Sequence, residues 1–290
     1  MPAPLPDILA EADALLEPSR FEDYGPNGLQ VPALGVIGPA PSSPAGSPEP
    51  APSPPAGSPA DEPRGVAAPP EIATLATGVT ASLELFELAA AVRAQLLLVH
   101  HGLFWGSGPG PIDVPLGRRL RFLFEADIAL AAYHLPLDAH PQLGNNALLA
   151  AALGAERLDT PFALHRGQPI GCLARFPGEG IPAADLFAGV HAATSREPLL
   201  FPAGPPLVRT LAVVTGAGAD YLPDAALAGA DAFLTGEPAE RAMSQARELS
   251  IHFIAAGHYA TETFGVRALG ERLAERFGLR HLFLDVPNPV

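Results

Sequence analysis

The stretch Gln95 to Trp105, QLLLVHHGLFW, sets two adjacent histidines at the end of a short apolar run. Such a run reads as a strand, and in open parallel sheets ligands gather beyond the carboxyl ends of strands, where loops and helix N-termini converge. Two further runs end in the same way. Ile128 to Ala132 passes into Tyr133-His134 with Asp138 following, and Ile251 to Ala255 passes into Gly257-His258-Tyr259-Ala260-Thr261-Glu262. Taken singly, each histidine reads first as a structural strand-end residue. Together the segments deliver His100, His101, Asp138, His258 and Glu262 to one sheet edge, a nitrogen and oxygen donor set suited to two divalent metal ions.

Outward from these runs the chain alternates short apolar segments with longer amphipathic ones, the rhythm of βα units around a largely parallel sheet. Strands are expected at Ile72 to Thr77, Gln95 to Val99, Ile128 to Tyr133, Leu207 to Thr215, Ala232 to Leu234, Ile251 to Ala255 and Leu282 to Asp285. Helices are expected at Leu5 to Leu16, Ser82 to Arg93, Leu116 to Glu125, Asn145 to Leu153, Pro238 to Leu249 and Thr263 to Phe277. The middle stretch, Leu158 to Pro206, is dotted with Gly and Pro and offers a strand at Ile170 to Arg175 and a helix at Ala183 to Ala193. The expected fold class is α/β, with two interlinked lobes, each a mostly parallel sheet flanked by helices. Residues 1–37 and 71–157 make the expected N-terminal lobe, and residues 158–290 the C-terminal one. Residues 38–70 are dominated by Pro, Ala, Ser and Gly. With almost no large apolar side chains, that segment cannot offset its ordering entropy by burial and reads as a disordered insertion.

Seventeen cations stand against 31 carboxylates, a formal net charge of −14 with no basic cluster. A phosphate backbone would be repelled, so nucleic acid is not an expected partner. No apolar run approaches the roughly 20 residues of a membrane span, and the first residues lack a basic region followed by an apolar one. A cytoplasmic protein without a membrane partner is expected. Every cation is arginine, which excludes Walker-type phosphate lysines and Schiff-base lysines. The lone cysteine, Cys172, excludes an internal disulfide and any Cys-rich zinc or iron–sulfur site.

His258 and Glu262 stand four residues apart where a strand passes into a helix, so about one helical turn brings both toward one face. Gly257 allows the tight turn before them. Five donors cannot saturate two ions, and water in the remaining positions would have its pKa drawn toward about 7, as hydrolysis requires. His134, the candidate catalytic residue, reads either as a proton carrier beside that site or as a satisfied strand-end histidine. In Thr235-Gly236-Glu237-Pro238 the acid and the proline read first as helix capping. Tyr24, Asn27 and Gln30 in DYGPNGLQV could line the site or simply build a tight turn. His252 reads as core, and His140, His165, His191 and His281 have no partner visible in the sequence.

These motifs resemble the dinuclear metal-centre hexameric protein family, whose members are described as homologues of a GTP cyclohydrolase I type 2. The matching stretches are DYGPNGLQV, GVTAS at Gly78 to Ser82, LLVHHGLFW, YHLPLDAHPQLGNN, FLTGEPAE, AAGHYATE and, near the end, DVPNP. They cover nearly the whole chain outside the Pro-rich segment. The resemblance implies that His100, His101, Asp138, His258 and Glu262 hold two ions and that Glu262 bridges them. It also implies a ring-shaped homohexamer whose metal sites face an internal cavity. Two features depart from the pattern: the turn Val213 to Asp220, VVTGAGAD, where relatives carry a Gly-rich turn often preceded by Trp-Cys, and the long Pro-rich insertion.

The function expected from this reading is metal-dependent hydrolysis of a nucleotide-like or other phosphorylated small molecule. Opening of the purine five-membered ring of GTP with loss of formate is implied by the resemblance alone. The alternative is a non-catalytic metal-binding or regulatory scaffold. Histidine and carboxylate suit zinc, iron and manganese alike, so the sequence leaves the metal's identity open.

Overall fold

The computed structural model describes residues 2–34, 70–106, 108 and 110–290. The insertion expected at 38–70 lies, apart from Pro70, outside them. The first part of the chain runs α1 (Leu5–Leu16), β1 (Gly28–Val31), β2 (Thr74–Thr80), α2 (Leu83–Ala91), β3 (Leu96–His101), α3 (Val114–Ala126), β4 (Ala129–Ala132), α4 (Leu135–Ala139) and α5 (Asn145–Ala152). It continues as β5 (Glu156–Arg157), β6 (Cys172–Arg175), α6 (Ala183–Thr194), β7 (Leu199–Phe201), β8 (Thr210–Val214), α7 (Leu222–Leu227) and β9 (Ala232–Thr235). The last elements are α8 (Ala242–Leu249), β10 (His252–Ala255), α9 (His258–Thr261), α10 (Thr263–Phe277) and β11 (Arg280–Phe283).

The first sheet has the order β11-β2-β3-β4-β1, parallel throughout except for the antiparallel edge strand β1. Successive side chains of a strand point to opposite faces. Leu96 and Leu98 of β3 accordingly join Leu75, Val79, Ala129 and Ala131 beneath α1 and α10, where Ile8, Val266, Leu269 and Leu273 meet them. Leu97 and Val99 face the other way, onto Leu85 and Phe86 of α2 and Leu123 of α3. Burial on both faces explains why β3 is an unbroken apolar run rather than an alternating one. Truncating Leu97 or Leu98 to alanine, both wholly buried, is expected to cost about 2–5 kcal/mol. Two of the flanking helices start on side-chain caps: Ser82 accepts from the Leu85 amide at 3.2 Å and Asp113 from the Leu116 amide at 2.8 Å.

The second sheet has the order β7-β10-β9-β8-β6-β5. Its centre, β8-β9-β10, is parallel, while β7, β6 and β5 pair antiparallel at its flanks. Phe233, Phe253, Ala212 and Val214 pack under α7 and α8. On the opposite face Leu211, Val213, Leu234 and Ile254 pack against Leu149 of α5 and Leu186 and Val190 of α6.

A cut at residue 157 does not separate the two sheets. Helix α5 and strand β5, both before or at that point, belong to the second sheet. Beyond it, α10 packs on the first sheet and β11 pairs in parallel with β2. Parallel pairing joins segments far apart in sequence, which a contiguous division cannot represent. Each lobe thus supplies an element to the other, and the carboxyl ends of β3, β4, β8, β9 and β10 meet between them. No helix among the described residues is long and apolar enough to cross a membrane.

Candidate metal centre

Three strand ends from the two sheets carry the expected donors into one cluster. His100 Nε2 lies 3.4 Å from Asp138 Oδ2 and 3.6 Å from Glu262 Oε1. The other oxygen of Glu262, Oε2, lies 3.0 Å from His101 Nε2 and 3.1 Å from His258 Nε2. His101 and His258 face each other across 3.4 Å between their Nε2 atoms. Besides His100 with His101 and His134, two groups that could each hold a metal ion follow, His100 with Asp138 and Glu262, and His101 with His258 and Glu262. Glu262 is common to these two and offers a different oxygen to each.

The remaining nitrogen of every ring is engaged away from the cluster. His100 Nδ1 is 3.0 Å from the Tyr133 carbonyl, His101 Nδ1 3.1 Å from the Thr80 hydroxyl, and His258 Nδ1 2.5 Å from Glu237 Oε1. Outer partners of this kind set the tautomer and ring orientation of metal-binding histidines. Asp138 is held through Oδ1, which accepts from Asn145 Nδ2 at 2.8 Å and from the Thr215 hydroxyl at 3.3 Å, leaving Oδ2 turned to His100. Glu262 occupies the N-cap position of α10 yet makes no capping hydrogen bond with its side chain. Its position at a helix start therefore does not explain it. Gly216, at φ +64°, brings the β8 turn so close to Glu262 Oε1 that any side chain there would collide with it.

Two buried atoms in this cluster, His100 Nε2 and Glu262 Oε2, lack a hydrogen-bond partner. Buried polar groups are normally satisfied, and these point inward at other ligating atoms. A cation in each donor group would satisfy both atoms, so the residues fit divalent metal. The electrostatics agree. Burial opposes a charged His100, but Asp138 and Glu262 outweigh it and hold the imidazole well above its ordinary range. Burial likewise opposes a charged His258, but Glu262 and Glu237 push it up to about 9. Burial would raise Glu262, yet the charges of His100 and His101 close beside it hold it well below the usual carboxylate range. His101 is lowered, chiefly by burial. A field that keeps protons on His100 and His258 is one that favours positive charge at the centre, and metal binding would displace those protons.

His134 sits at the rim with its Nδ1 2.7 Å from Asp23 Oδ1. Asp23 also accepts from the Leu135 amide and from Asn27 Nδ2, both at 2.9 Å. Burial would raise Asp23, but the hydrogen bond and charge of His134 and these further donors hold it below its ordinary value. Asn27 accepts from the His134 amide at 2.8 Å, and Gln30 accepts from the Leu103 amide at 2.7 Å, so both act in building the loops of the site. Tyr24 instead lines a cavity of about 250 Å³ that opens onto His101, His134, Asp138, His258 and Glu262.

Glu237 does not cap a helix: α8 begins only at Ala242, and the carboxylate serves His258. Its neighbour Gly236 and the Glu237 amide both donate to the Gly216 carbonyl at 2.9 Å, which aligns the β8 and β9 turns. Sequence reasoning does not single out Asp23 or Thr215, whose partners come from distant segments, or Asn145, which meets Asp138 seven residues away. His252 is buried in β10, with its ring nitrogens 3.2 Å from the Gly204 amide and 2.7 Å from the Pro205 carbonyl. His140, His165, His191 and His281 lie outside the cluster, at loop amides, Tyr24, Glu197 and Thr77.

Residues 65–289 match the family model described as Duf34/NIF3 (NGG1p interacting factor 3). The GTP cyclohydrolase 1 type 2 homolog of Pseudomonas aeruginosa is 42% identical over 292 residues, spanning 99% of this chain and 98% of its own length. Among solved structures, a protein ybgI of unknown function matches at 34% identity with a TM-score of 0.80, covering 99% of this chain and 100% of its own. TTHA1606 from Thermus thermophilus matches at 33% identity with a TM-score of 0.78 and the same coverage of each chain.

Proposed function

The chain belongs to the Duf34/NIF3 family, and from that premise we propose that it is a two-metal hydrolase of a small nucleotide-like molecule. The observation that carries this reading is Glu262, buried without a capping role and offering one oxygen to each of two donor groups. His100 and Asp138 would hold one ion and His101 and His258 the other, with Glu262 between them. When bound, such ions would polarise a substrate oxygen and lower the pKa of bound water toward about 7.

The protein's own groups supply the rest. Asp23 fixes Nδ1 of His134, so the ring's other nitrogen is free to carry a proton between the site and solvent. Glu237 orients His258, Thr80 orients His101, and Asn145 and Thr215 orient Asp138. The relatives' name, GTP cyclohydrolase 1 type 2 homolog, supports a nucleotide-like substrate. The family resemblance supports assembly as a homohexamer.

Turnover by metal-loaded protein against a panel of nucleosides, nucleotides and phosphoesters, compared with Asp138→Ala, tests this reading. Hydrolysis by wild type that is lost in the variant supports it. Two bound ions with no turnover across the panel would replace it by the metal-binding scaffold.

A further inference from the structure

We infer that this site takes an uncharged, flat heteroaromatic compound the size of a nucleoside, gripped by Tyr24, Trp105 and Tyr221, and that phosphates add nothing to its recognition. The inference rests on the hydrolase reading for where the ligand sits, but on different residues for what the ligand is.

Tyr24 and Trp105 are 51% and 47% exposed, among the more exposed large aromatic side chains of the described residues, and both edge the same imidazole. The Trp105 ring centroid lies 5.3 Å from that of His134, and the Tyr24 centroid 6.0 Å from it. Tyr24, Trp105 and Tyr221 line the cavity over the cluster. Exposed aromatic surface gathered around a concave site marks a place where a ligand is to be covered.

The aromatic frame is fixed before any ligand arrives. The Gly106 amide donates to the Tyr24 carbonyl at 2.5 Å, and Gly25 approaches the Phe104 carbonyl so closely that a side chain there would strike it. Gln30 ties the Trp105 loop from below through the Leu103 amide. Aromatic side chains on a fixed backbone have only two side-chain torsions each to order, so little entropy opposes stacking.

The cavity's lining gives a nucleoside triphosphate no side-chain contact that its nucleoside lacks. The cavity's volume of about 250 Å³ falls below the roughly 300–1,000 Å³ typical of drug-sized ligands. Among the described residues no arginine lines it, and the chain has no lysine at all. Two arginines that reach residues close along the chain to its aromatic walls are already paired, Arg166 with Glu22 beside Tyr24 and Arg241 with Asp220 beside Tyr221. A polyanion would meet neither arginine nor lysine among the lining side chains of this acidic protein, so any hold on it would fall to the ions alone.

Trp105 is the only tryptophan of the chain, so its emission reports the site directly. The test titrates the metal-loaded full-length protein with guanosine, adenosine, GTP and ribose 5-phosphate while following Trp105 fluorescence. Guanosine or adenosine is expected to quench it saturably, GTP to bind no more tightly, and ribose 5-phosphate to leave it unchanged. Tyr24→Ala and Tyr221→Ala should each weaken nucleoside binding roughly 5- to 100-fold, the range of one lost base–aromatic stack. Tyr24→Phe, which keeps the ring, should restore it. A tenfold preference for GTP over guanosine, or nucleoside binding indifferent to both alanine variants, overturns the inference. So does hydrolysis of a ring-free phosphoester by a protein whose emission no nucleoside changes, a result that leaves the hydrolase reading standing. Saturable quenching by nucleosides without turnover does the reverse.

Discussion

Around Glu262 Oε1 the side chains of His100 and Asp138 are 0% and 9% exposed, whereas around Oε2 those of His101 and His258 are 13% and 26% exposed. The two halves share a carboxylate and a donor chemistry but not an environment. His100 is fixed by a backbone carbonyl and Asp138 by an amide and a hydroxyl, all buried within the fold. His101 and His258 are fixed by Thr80 and by the partly exposed carboxylate of Glu237, and both line the aromatic cavity. Under the two-ion reading, the inner ion is held by the more deeply buried groups and meets the cavity only past Asp138 and the shared Glu262, whereas both imidazoles of the outer one line it. Structural and chemical duties would then fall to different ions of one centre.

The largest expected effect is that of Glu262→Ala, which removes the group common to both halves. Elemental analysis should show two ions per chain in wild type and one or none in the variant. Full occupancy in the variant would end the bridging assignment.

Next come the single-half variants. His100→Ala should cost one ion and also leave Asp138 and Glu262 as buried charges without their partner, a destabilisation of about 3–5 kcal/mol. His101→Ala should cost one ion with a much smaller loss of stability. Metal content together with urea midpoints separates the two cases. Equal losses in both would erase the distinction between inner and outer halves.

How far these halves are legible in sequence differs as well. All five residues proposed as donors can be read from three apolar runs that pass into His100-His101, His134 with Asp138 following, and His258 with Glu262 following, because a strand's carboxyl end is marked locally by the change from apolar to polar residues. Helices α1 and α10 coincide with Leu5 to Leu16 and Thr263 to Phe277, since their apolar spacing is a local signal. The groups that orient the donors carry no such mark. Thr215 reaches Asp138 across 77 positions, and Asp23 reaches the rim residue His134 across 111. Glu237 reads as a cap in sequence because Glu-Pro resembles a helix start, whereas the helix begins five residues later. Short antiparallel edges such as Gly28–Val31 and Leu199–Phe201 also escape, being too short for a periodic pattern. The lobe boundary fails at α10 and β11 for the same reason that hides the orienting groups: partnership across the sheet is non-local.

A smaller effect should follow from Glu237→Gln. The amide keeps the shape and can still meet His258 Nδ1, but it removes the charge behind the outer half. Affinity for the outer ion should fall about 10–100-fold while saturating metal still fills both positions. Competition with a chelator, monitored ion by ion, measures this. An equal weakening of both ions would mean that the halves are not independently supported.

The smallest effect on metal content, and the most specific on chemistry, is expected from Asp23→Asn. Asp23 touches His134 rather than any of the five donors, so occupancy should remain as in wild type. Turnover should fall about 10–100-fold, because His134 loses the partner that fixes its orientation. The same residue leaves a signature in stability. Its pKa in the folded protein lies below the ordinary 3.8, so ionised Asp23 stabilises the fold. That contribution is complete above the unfolded value and is lost as pH falls through the lower folded one. Metal-free wild type should therefore be more stable than metal-free Asp23→Asn at about pH 7, with the gap closing only below the carboxyl's unfolded pKa. Urea midpoints of both proteins across that range measure the gap. A gap already absent at about pH 7 would show that ionised Asp23 does not stabilise the fold, and the rim pair would then not be held together by its charge.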